Sequence, residues 1–242
     1  MAKAIIFPSF NEFNNLKIII PKLLHTISEN DLVIICDDSE NNQKKEISKY
    51  VNNFRQIRYL PGRVKSGRGK AIRRGMTWLI ENYENTFTHV LEADCDGSHR
   101  VEDILFLLNY NRNYDLVIGS RYLSTSKING WPITRKIFSR FLNFFIPKLI
   151  KVEVKDVTNG LRRYSIRACK LLVKNKNYSN GFIYLSEQLI VLKESGIYPK
   201  EIPIVFEPRI SGDSSVGIKE LIKSIFEMIK LIIKRKQIGK FN

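Results

Sequence analysis

Cysteine is scarce: Cys36, Cys95 and Cys169 are the only three in 242 residues, an odd number, widely spaced and in no CxxC pattern. That scarcity excludes a disulfide framework and a structural zinc centre, and it fits a reducing compartment. Proline (8) and glycine (13) are too few for a collagen-like or low-complexity chain, and 43% hydrophobic content is too high for disorder. Internal repeats are lacking. So is any uncharged apolar run of about 18 residues, so no segment spans a bilayer by itself. The apolar run after Met1 is too short for a secretory signal and reads as a strand that starts at once. Acidic residues are the other shortage: 24 against 40 basic ones, a formal net charge of +16.

The positive charge is local. Residues 55–74 carry eight Lys/Arg and no acid, residues 131–155 carry six against Glu153, and residues 217–242 carry seven against Glu220 and Glu227. The remainder is slightly acidic. Local excess of this kind implies anionic partners: a nucleotide diphosphate, a membrane surface or nucleic acid. No RRM, KH or zinc-finger pattern is present, and aromatics do not interleave with the bases of 55–74, so nucleic acid is not expected as a partner.

Runs rich in Ile and Val, at 4–10, 32–38, 57–60, 89–94 and 116–120, read as strands, several of them nearly continuous in apolar residues. Helical patterns lie between them at about 12–28, 42–53, 69–83 and 101–110, with Asn11 as N-cap of the first. This β-α alternation predicts an α/β fold, a Rossmann-like and mainly parallel sheet with helices on both faces. Further on, 131–150 reads as a basic, aromatic helix broken near Pro147. Strands follow at 160–165 and 202–206, with a helix around 184–195 between them. The tail from Ile218 to Lys236 reads as a basic amphipathic helix, which could pack on the core but, with the polybasic run 234–236 behind it, better suits a membrane surface. The expected division is a catalytic domain over 1–215 and a membrane-associating tail over 216–242.

In such sheets ligands bind beyond the carboxyl ends of the strands. Asp94-Cys95-Asp96 falls there, at the end of the fourth strand. Side chains two apart in an extended segment point the same way, and adjacent carboxylates repel unless a cation shares them. Mg²⁺ or Mn²⁺ bound to a nucleotide is the fitting partner, although Asp96-Gly97 is also a good turn. Asp37-Asp38-Ser39 ends the second strand, where a carboxylate suits ribose hydroxyls or a base imide, or simply caps a helix. Gly67-Arg68-Gly69-Lys70 is no Walker A loop, because Val64 and Ala71 stand where Gly and Ser/Thr belong. There is no GxSxG elbow and no Cys–His pairing, which leaves metal-assisted group transfer.

Together these motifs resemble the family-2 glycosyltransferases of the GT-A fold, within them the polyprenyl- and dolichyl-phosphate hexosyltransferases of the dolichol-phosphate mannose synthase group. The resemblance runs from Ile6 to about Gly212. Phe7-Pro8-Ser9-Phe10-Asn11-Glu12 is similar to the opening IPxYNE, Cys36-Asp37-Asp38-Ser39 to VDDxS, and Gly67 to Ala71 with Gly75 to GxGxA…G. Glu92 to His99 resembles EMDADGSH. Gly119-Ser120-Arg121-Tyr122, Gly130-Trp131, Arg135, Ser139-Arg140 and Asn143 follow GSRY…GW…R…SR..N. Asp156 to Arg162 is like DxTxGFR, Gly181-Phe182 with Glu187 like GYxFxxE, and Arg209 with Gly212 like RxxGxSK.

The resemblance implies roles. Pro8, Phe10, Glu12, Asp37 and Asp38 would hold the nucleotide. Asp94 and Asp96 would hold Mg²⁺ or Mn²⁺ on the diphosphate, with Ser98 or water completing the site, and Arg209 would reach the diphosphate. Arg121, Arg135 and Ser139 would receive the acceptor phosphate, and with Asp96 they form the expected catalytic set. The implied reaction is inverting transfer of a hexose, first of all mannose from GDP-mannose, to a polyprenyl phosphate by a protein peripheral on the cytoplasmic membrane face. The alternative is a soluble family-2 enzyme acting on a sugar hydroxyl in surface polysaccharide assembly, with Glu187 or Asp156 as general base. Departures from the pattern are Phe10 for Tyr and Ser214-Ser215 for Ser-Lys, the latter leaving Arg68 or Lys70 as replacement cations or implying a different donor. Many relatives carry carboxy-terminal transmembrane helices; here the amphipathic tail, or a membrane-anchoring partner, would take that part.

Overall fold

The computed structural model describes residues 2–83, 85–175 and 183–211. Strands β1 (Ala2–Ser9), β2 (Leu32–Asp37), β3 (Ile57–Pro61), β4 (Phe87–Glu92), β5 (Leu116–Ser120), β7 (Arg162–Ser165) and β8 (Lys200–Pro203) form one sheet in the order β3-β2-β1-β4-β7-β5-β8. Two short strands, β6 (Lys127–Ile128) and β9 (Val205–Phe206), pair with each other apart from it. The expected α/β architecture, parallel strands with helices on both faces, is what the chain adopts. One strand differs: β7 runs antiparallel to both β4 and β5.

Strands β1, β2, β4 and β5 are apolar almost throughout because each faces two cores. Ala4, Ile6, Ile34, Cys36, Val90, Leu116 and Ile118 pack with α3 (Arg68–Tyr83), α5 (Ile133–Ile150), α6 (Ile166–Lys174) and α7 (Tyr184–Glu194). Their neighbours in sequence, Ile5, Phe7, Val33, Ile35, Leu91 and Val117, pack with α1 (Phe13–Leu24), α2 (Asn41–Val51) and α4 (Val101–Leu108). Period-two alternation therefore sends the apolar side chains of these strands into one layer or the other in turn. Gly75 lets α3 lie directly on the sheet: a Cβ there would stand 2.9 Å from both Cys36 Sγ and Ile6 Cγ2.

Local details depart from expectation. Asn11 is not a helix cap. It sits in the left-handed region (φ 59°), and its N–H donates to Ser39 Oγ at 2.7 Å, while Glu12 occupies the N-cap without a capping side-chain bond. Pro147 does not break its helix: α5 continues to Ile150 and ends at Lys151, which is left-handed (φ 54°). The segment 202–206 is two strands, not one. β8 stops at Pro203, which has no N–H to offer, and Ile204 donates across to Ser120 O. The strand expected from 160 begins only at Arg162. The amphipathic tail, Ser214-Ser215 and the Gly181-Phe182 pair lie outside the described residues.

Candidate active site

The strand order reverses between β1 and β4, and the loops leaving these two strands carry the acidic residues singled out above. Asp96 accepts from Ser98 N at 2.9 Å and Ser98 Oγ at 2.6 Å, the turn that its Asp-Gly sequence favours, and Gly97 takes φ 83°. Its other oxygen meets Arg209 Nε at 2.7 Å. Arg209 Nη2 also donates to Glu12 Oε1 at 2.9 Å, so one guanidinium ties the β1 loop to the β4 loop. The segment carrying Arg209 is fastened beside them by Ile210 N to Asp96 O (2.9 Å) and Ser211 Oγ to Asn15 Oδ1 (2.7 Å).

Asp94 is paired with Arg68, whose Nε donates to Tyr184 Oη at 2.6 Å and whose Nη2 lies 3.8 Å from buried Glu92. Arg68 thus enters the acidic site from the start of α3, whereas Lys70 is exposed. The Asp94 N–H donates to His99 Nδ1 at 2.9 Å, which leaves the proton on Nε2, donated to Asn159 Oδ1 at 2.9 Å. Burial lowers the His99 pKa to about 4, so the ring is neutral at pH 7.

The carboxylates at the end of β2 are engaged by the protein's own donors. Asp37 accepts from Ser39 and from Tyr59 Oη (2.7 Å); Asp38 accepts from Ser66 N and from Arg74 Nη2, both at 2.9 Å. Pro8 lies in β1 opposite Cys36, and the Phe10 ring lies 4.1 Å from Lys65 Nζ.

A second, basic cluster lies beyond β5. Arg121 forms a fork with buried Asp156, Nε to Oδ2 and Nη2 to Oδ1 both at 2.8 Å, and also donates to Thr158 Oγ1. Burial opposes both charges, but each outweighs it for the other, so Arg121 titrates above and Asp156 below its ordinary value. Trp131 lies between two guanidinium groups, 5.1 Å from Arg121 and 4.1 Å from Arg135. Arg135 titrates below its ordinary value because of burial and because Arg121 and Arg209 both push against its charge. Ser139 accepts from Tyr122 Oη at 2.6 Å, and Asn143, one turn on, donates to Thr158 Oγ1 and accepts from Val157 N. These bonds hold α5 against the loop 156–159, and that loop reaches the acidic cluster through Asn159 and His99.

The donor chemistry fits a hard divalent ion. Such ions take carboxylates, water and phosphate oxygens. Burial raises the Asp96 pKa, but the Ser98 hydrogen bonds and the Arg209 charge outweigh it, so the group is held ionised. Both His99 nitrogens are committed elsewhere, which leaves an oxygen-only set in Asp94 and Asp96. Among the described residues no three or more His, Cys, Asp or Glu converge on one point, so this is no enclosed protein cage.

Sequence reasoning brought together Glu12, Asp94, Asp96 and Arg209, and separately Arg121, Arg135 and Ser139. It missed that Asp156 holds Arg121, that Trp131 carries two arginines, and that Tyr184 positions Arg68. It also offered Asp156 as a general base; a fully buried carboxylate forked to arginine, its pKa lowered, does not fit that task. The other base candidate, Glu187, is buried in α7.

Residues 4–173 match the model of glycosyl transferase family 2. An undecaprenyl-phosphate mannosyltransferase of Micrococcus luteus is 26% identical over 212 residues, 88% of this chain and 86% of that protein. A polyprenol monophosphomannose synthase of Mycolicibacterium smegmatis is 24% identical over 226 residues, 93% and 84% of the respective chains. Among solved structures, glucosyl-3-phosphoglycerate synthase from Mycobacterium tuberculosis, in complex with Mn²⁺, UDP and glucosyl-3-phosphoglycerate, aligns with a TM-score of 0.64. It is 15% identical and covers 97% of this chain and 79% of its own, a likeness of fold.

Proposed function

The chain belongs to glycosyl transferase family 2, and from that premise we propose that this glycosyltransferase moves mannose from GDP-mannose to a polyprenyl phosphate, with inversion, at the cytoplasmic face of a membrane. The observation that carries the reading is the basic cluster: Arg121 and Arg135 lie 5.1 and 4.1 Å from one Trp131 ring, and burial, with the charges of Arg121 and Arg209, lowers the Arg135 pKa. Two guanidinium groups against one ring suit an incoming phosphate, with arginine's fork matched to its oxygens.

A phosphate acceptor is already anionic at neutral pH. Its oxygen attacks the anomeric carbon while the bond from that carbon to the nucleoside diphosphate breaks, and no proton has to be removed. Positioning and charge compensation then carry the catalysis. Pro8, Phe10, Glu12, Asp37 and Asp38 would face the nucleotide. Asp94 and Asp96 would hold Mg²⁺ or Mn²⁺, which neutralises the departing diphosphate. Arg209, now shared between Glu12 and Asp96, would turn to that diphosphate, and Arg68 supplies the cation that Ser215 does not. Arg121 and Arg135, braced by Asp156 and Trp131, would meet the acceptor phosphate, with Ser139 donating to it.

Two features support a lipid acceptor over a sugar hydroxyl: the anion site, and the lack of a fitting base in Asp156. No described helix is long and apolar enough to cross a membrane, so a polyprenyl acceptor would be met at the surface, by the tail over 216–242 or with a membrane-anchoring partner. The test is transfer of labelled mannose to polyprenyl phosphate by wild type and by Arg135→Glu. Loss of transfer with native folding supports the reading; wild-type transfer by the variant overturns it.

A further inference from the structure

Both carboxylates offered to a metal already carry an arginine: Asp96 pairs with Arg209, and Asp94 with Arg68. The two arginines are held differently. Arg209 spans Asp96 and Glu12, two acids of the site itself. Arg68 has partners outside the carboxylate pair. Its Nε donates to Tyr184 Oη at 2.6 Å and its Nη2 to Gly160 O at 3.2 Å. Tyr184 Oη donates in turn to Glu92 Oε1 at 2.9 Å, and Glu92, with no exposed side-chain surface, lies 3.8 Å from Arg68 Nη2.

The sequence builds this seat. Gly67 takes φ 89° just before α3, which Arg68 opens. A Cβ at Gly160 would collide with the guanidinium, so only glycine lets it lie on that carbonyl. Tyr184, Gly160 and Glu92 hold Arg68 without Asp94. The positive charge therefore stays in place when Asp94 takes another partner. A divalent ion at Asp94 would stand beside that fixed like charge, which opposes it, whereas a nucleoside diphosphate adds the negative charge that offsets both.

We infer that Arg68 is a built-in counter-ion of Asp94: it keeps a divalent cation off the free protein, and the cation enters together with the nucleoside diphosphate. This adds a regulation to the site of the proposed function, and it rests on that reading in taking Asp94 and Asp96 as the carboxylates of the metal. Removing the Arg68 charge acts in opposite directions. The divalent ion binds more tightly without nucleotide, and the nucleotide binds more weakly without metal. Loss of a merely structural contact would weaken both.

The test is Mn²⁺ binding by the full chain, read from the loss of the free-ion EPR signal with no nucleotide or lipid present. Arg68→Met, close in length and uncharged, should bind Mn²⁺ at least tenfold more tightly than wild type, and adding Asp94→Asn should abolish the gain. Lys70→Met removes the same charge from an exposed position two residues on and should leave Mn²⁺ binding unchanged. In EDTA, GDP should bind Arg68→Met at least tenfold more weakly than wild type by titration calorimetry. Circular dichroism checks folding; where Arg68→Met does not fold, Arg68→Gln, whose amide can still donate to Gly160 O, carries the same expectations. Three results would overturn the proposal: Mn²⁺ binding by the folded variant no tighter than by wild type, a gain that survives Asp94→Asn, or metal-free GDP held as tightly by the variant as by wild type. The Mn²⁺ measurement contains no nucleotide, so it decides the proposal even if GDP fails to bind wild type, a result that would count against the proposed donor alone.

Discussion

The acidic cluster at the β1–β4 edge and the basic cluster against α5 follow opposite charge logic. At the first, carboxylates from adjacent strand ends are the fixed charges, and the arginines that balance them come from residues 68 and 209, far away in sequence. At the second, arginines are the charges offered, Arg135 exposed and Arg121 buried, and one buried carboxylate, Asp156, braces Arg121. Each end therefore offers the complement of what the reaction brings. In the proposed reaction a metal ion would suit the pair of carboxylates once Arg209 turns to the diphosphate, and an anion would suit the guanidinium groups, beside which Asp156 is already committed to Arg121. Asp156 and Asp96 look alike in sequence, both following a strand end or helix in a polar loop. Burial and partner separate them.

The contrast can be broken most strongly at the brace. Asp156→Ala leaves the Arg121 charge buried and unpaired, which should cost about 3–5 kcal/mol of stability. Urea denaturation measures it, and a loss below about 1 kcal/mol would mean that Arg121 finds another partner. At the acidic end Asp96→Asn keeps the volume and removes one charge. Transfer should fall on the order of 10²–10³-fold, the scale of removing one preorganised electrostatic group, together with loss of the Mn²⁺-dependent thermal shift given by GDP-mannose. Arg135→Ala should act more mildly. Removing one charged hydrogen-bonding partner is worth about 1.5–3 kcal/mol, and this loss is expected in the KM for the lipid phosphate while the KM for GDP-mannose stays unchanged. A rise in the nucleotide KM instead would move Arg135 to the other end.

The smallest effect is a control outside both clusters. His89, near the start of β4, has a pKa lowered to about 4 by burial and by the charges of Arg163 and Lys3. Its unfolded value is near 6.5, so the unfolded chain binds the proton first as the pH falls. The stability held by the neutral ring is complete above about pH 6.5 and is lost as the pH drops toward 4. Solvent screening keeps this below about 1 kcal/mol. Relative to His89→Gln, wild type should lose stability over that window with transfer at pH 7 unchanged; a pH-independent difference would contradict the assignment.

Much of the architecture was readable because parallel strands buried on both sides leave long Ile/Val runs, as in Ala4–Phe7 and Val33–Cys36. The strand ends followed from the polar residues that close those runs, and with them Glu12, Asp37, Asp94 and Asp96. What could not be read is long-range pairing. Nothing local tells that Arg121 is held by a carboxylate 35 residues on, or that Arg68 lies against Glu92 and Asp94. Strand β7 was hard to read because Arg162 and Arg163 are buried charges. Arg162 is satisfied by the carbonyls of Asn159, Leu185 and Val157, partners that only the folded chain supplies. Asn11 misled because a residue that favours caps also tolerates the left-handed conformation it adopts here.

The central claim is that the basic cluster receives an anion that needs no deprotonation. It is tested most directly by offering wild type GDP-[¹⁴C]mannose with either polyprenyl phosphate or the corresponding polyprenol. The account predicts a labelled, lipid-soluble phosphodiester from the phosphate and none from the alcohol. Equal transfer to the alcohol, or transfer to neither, would contradict it.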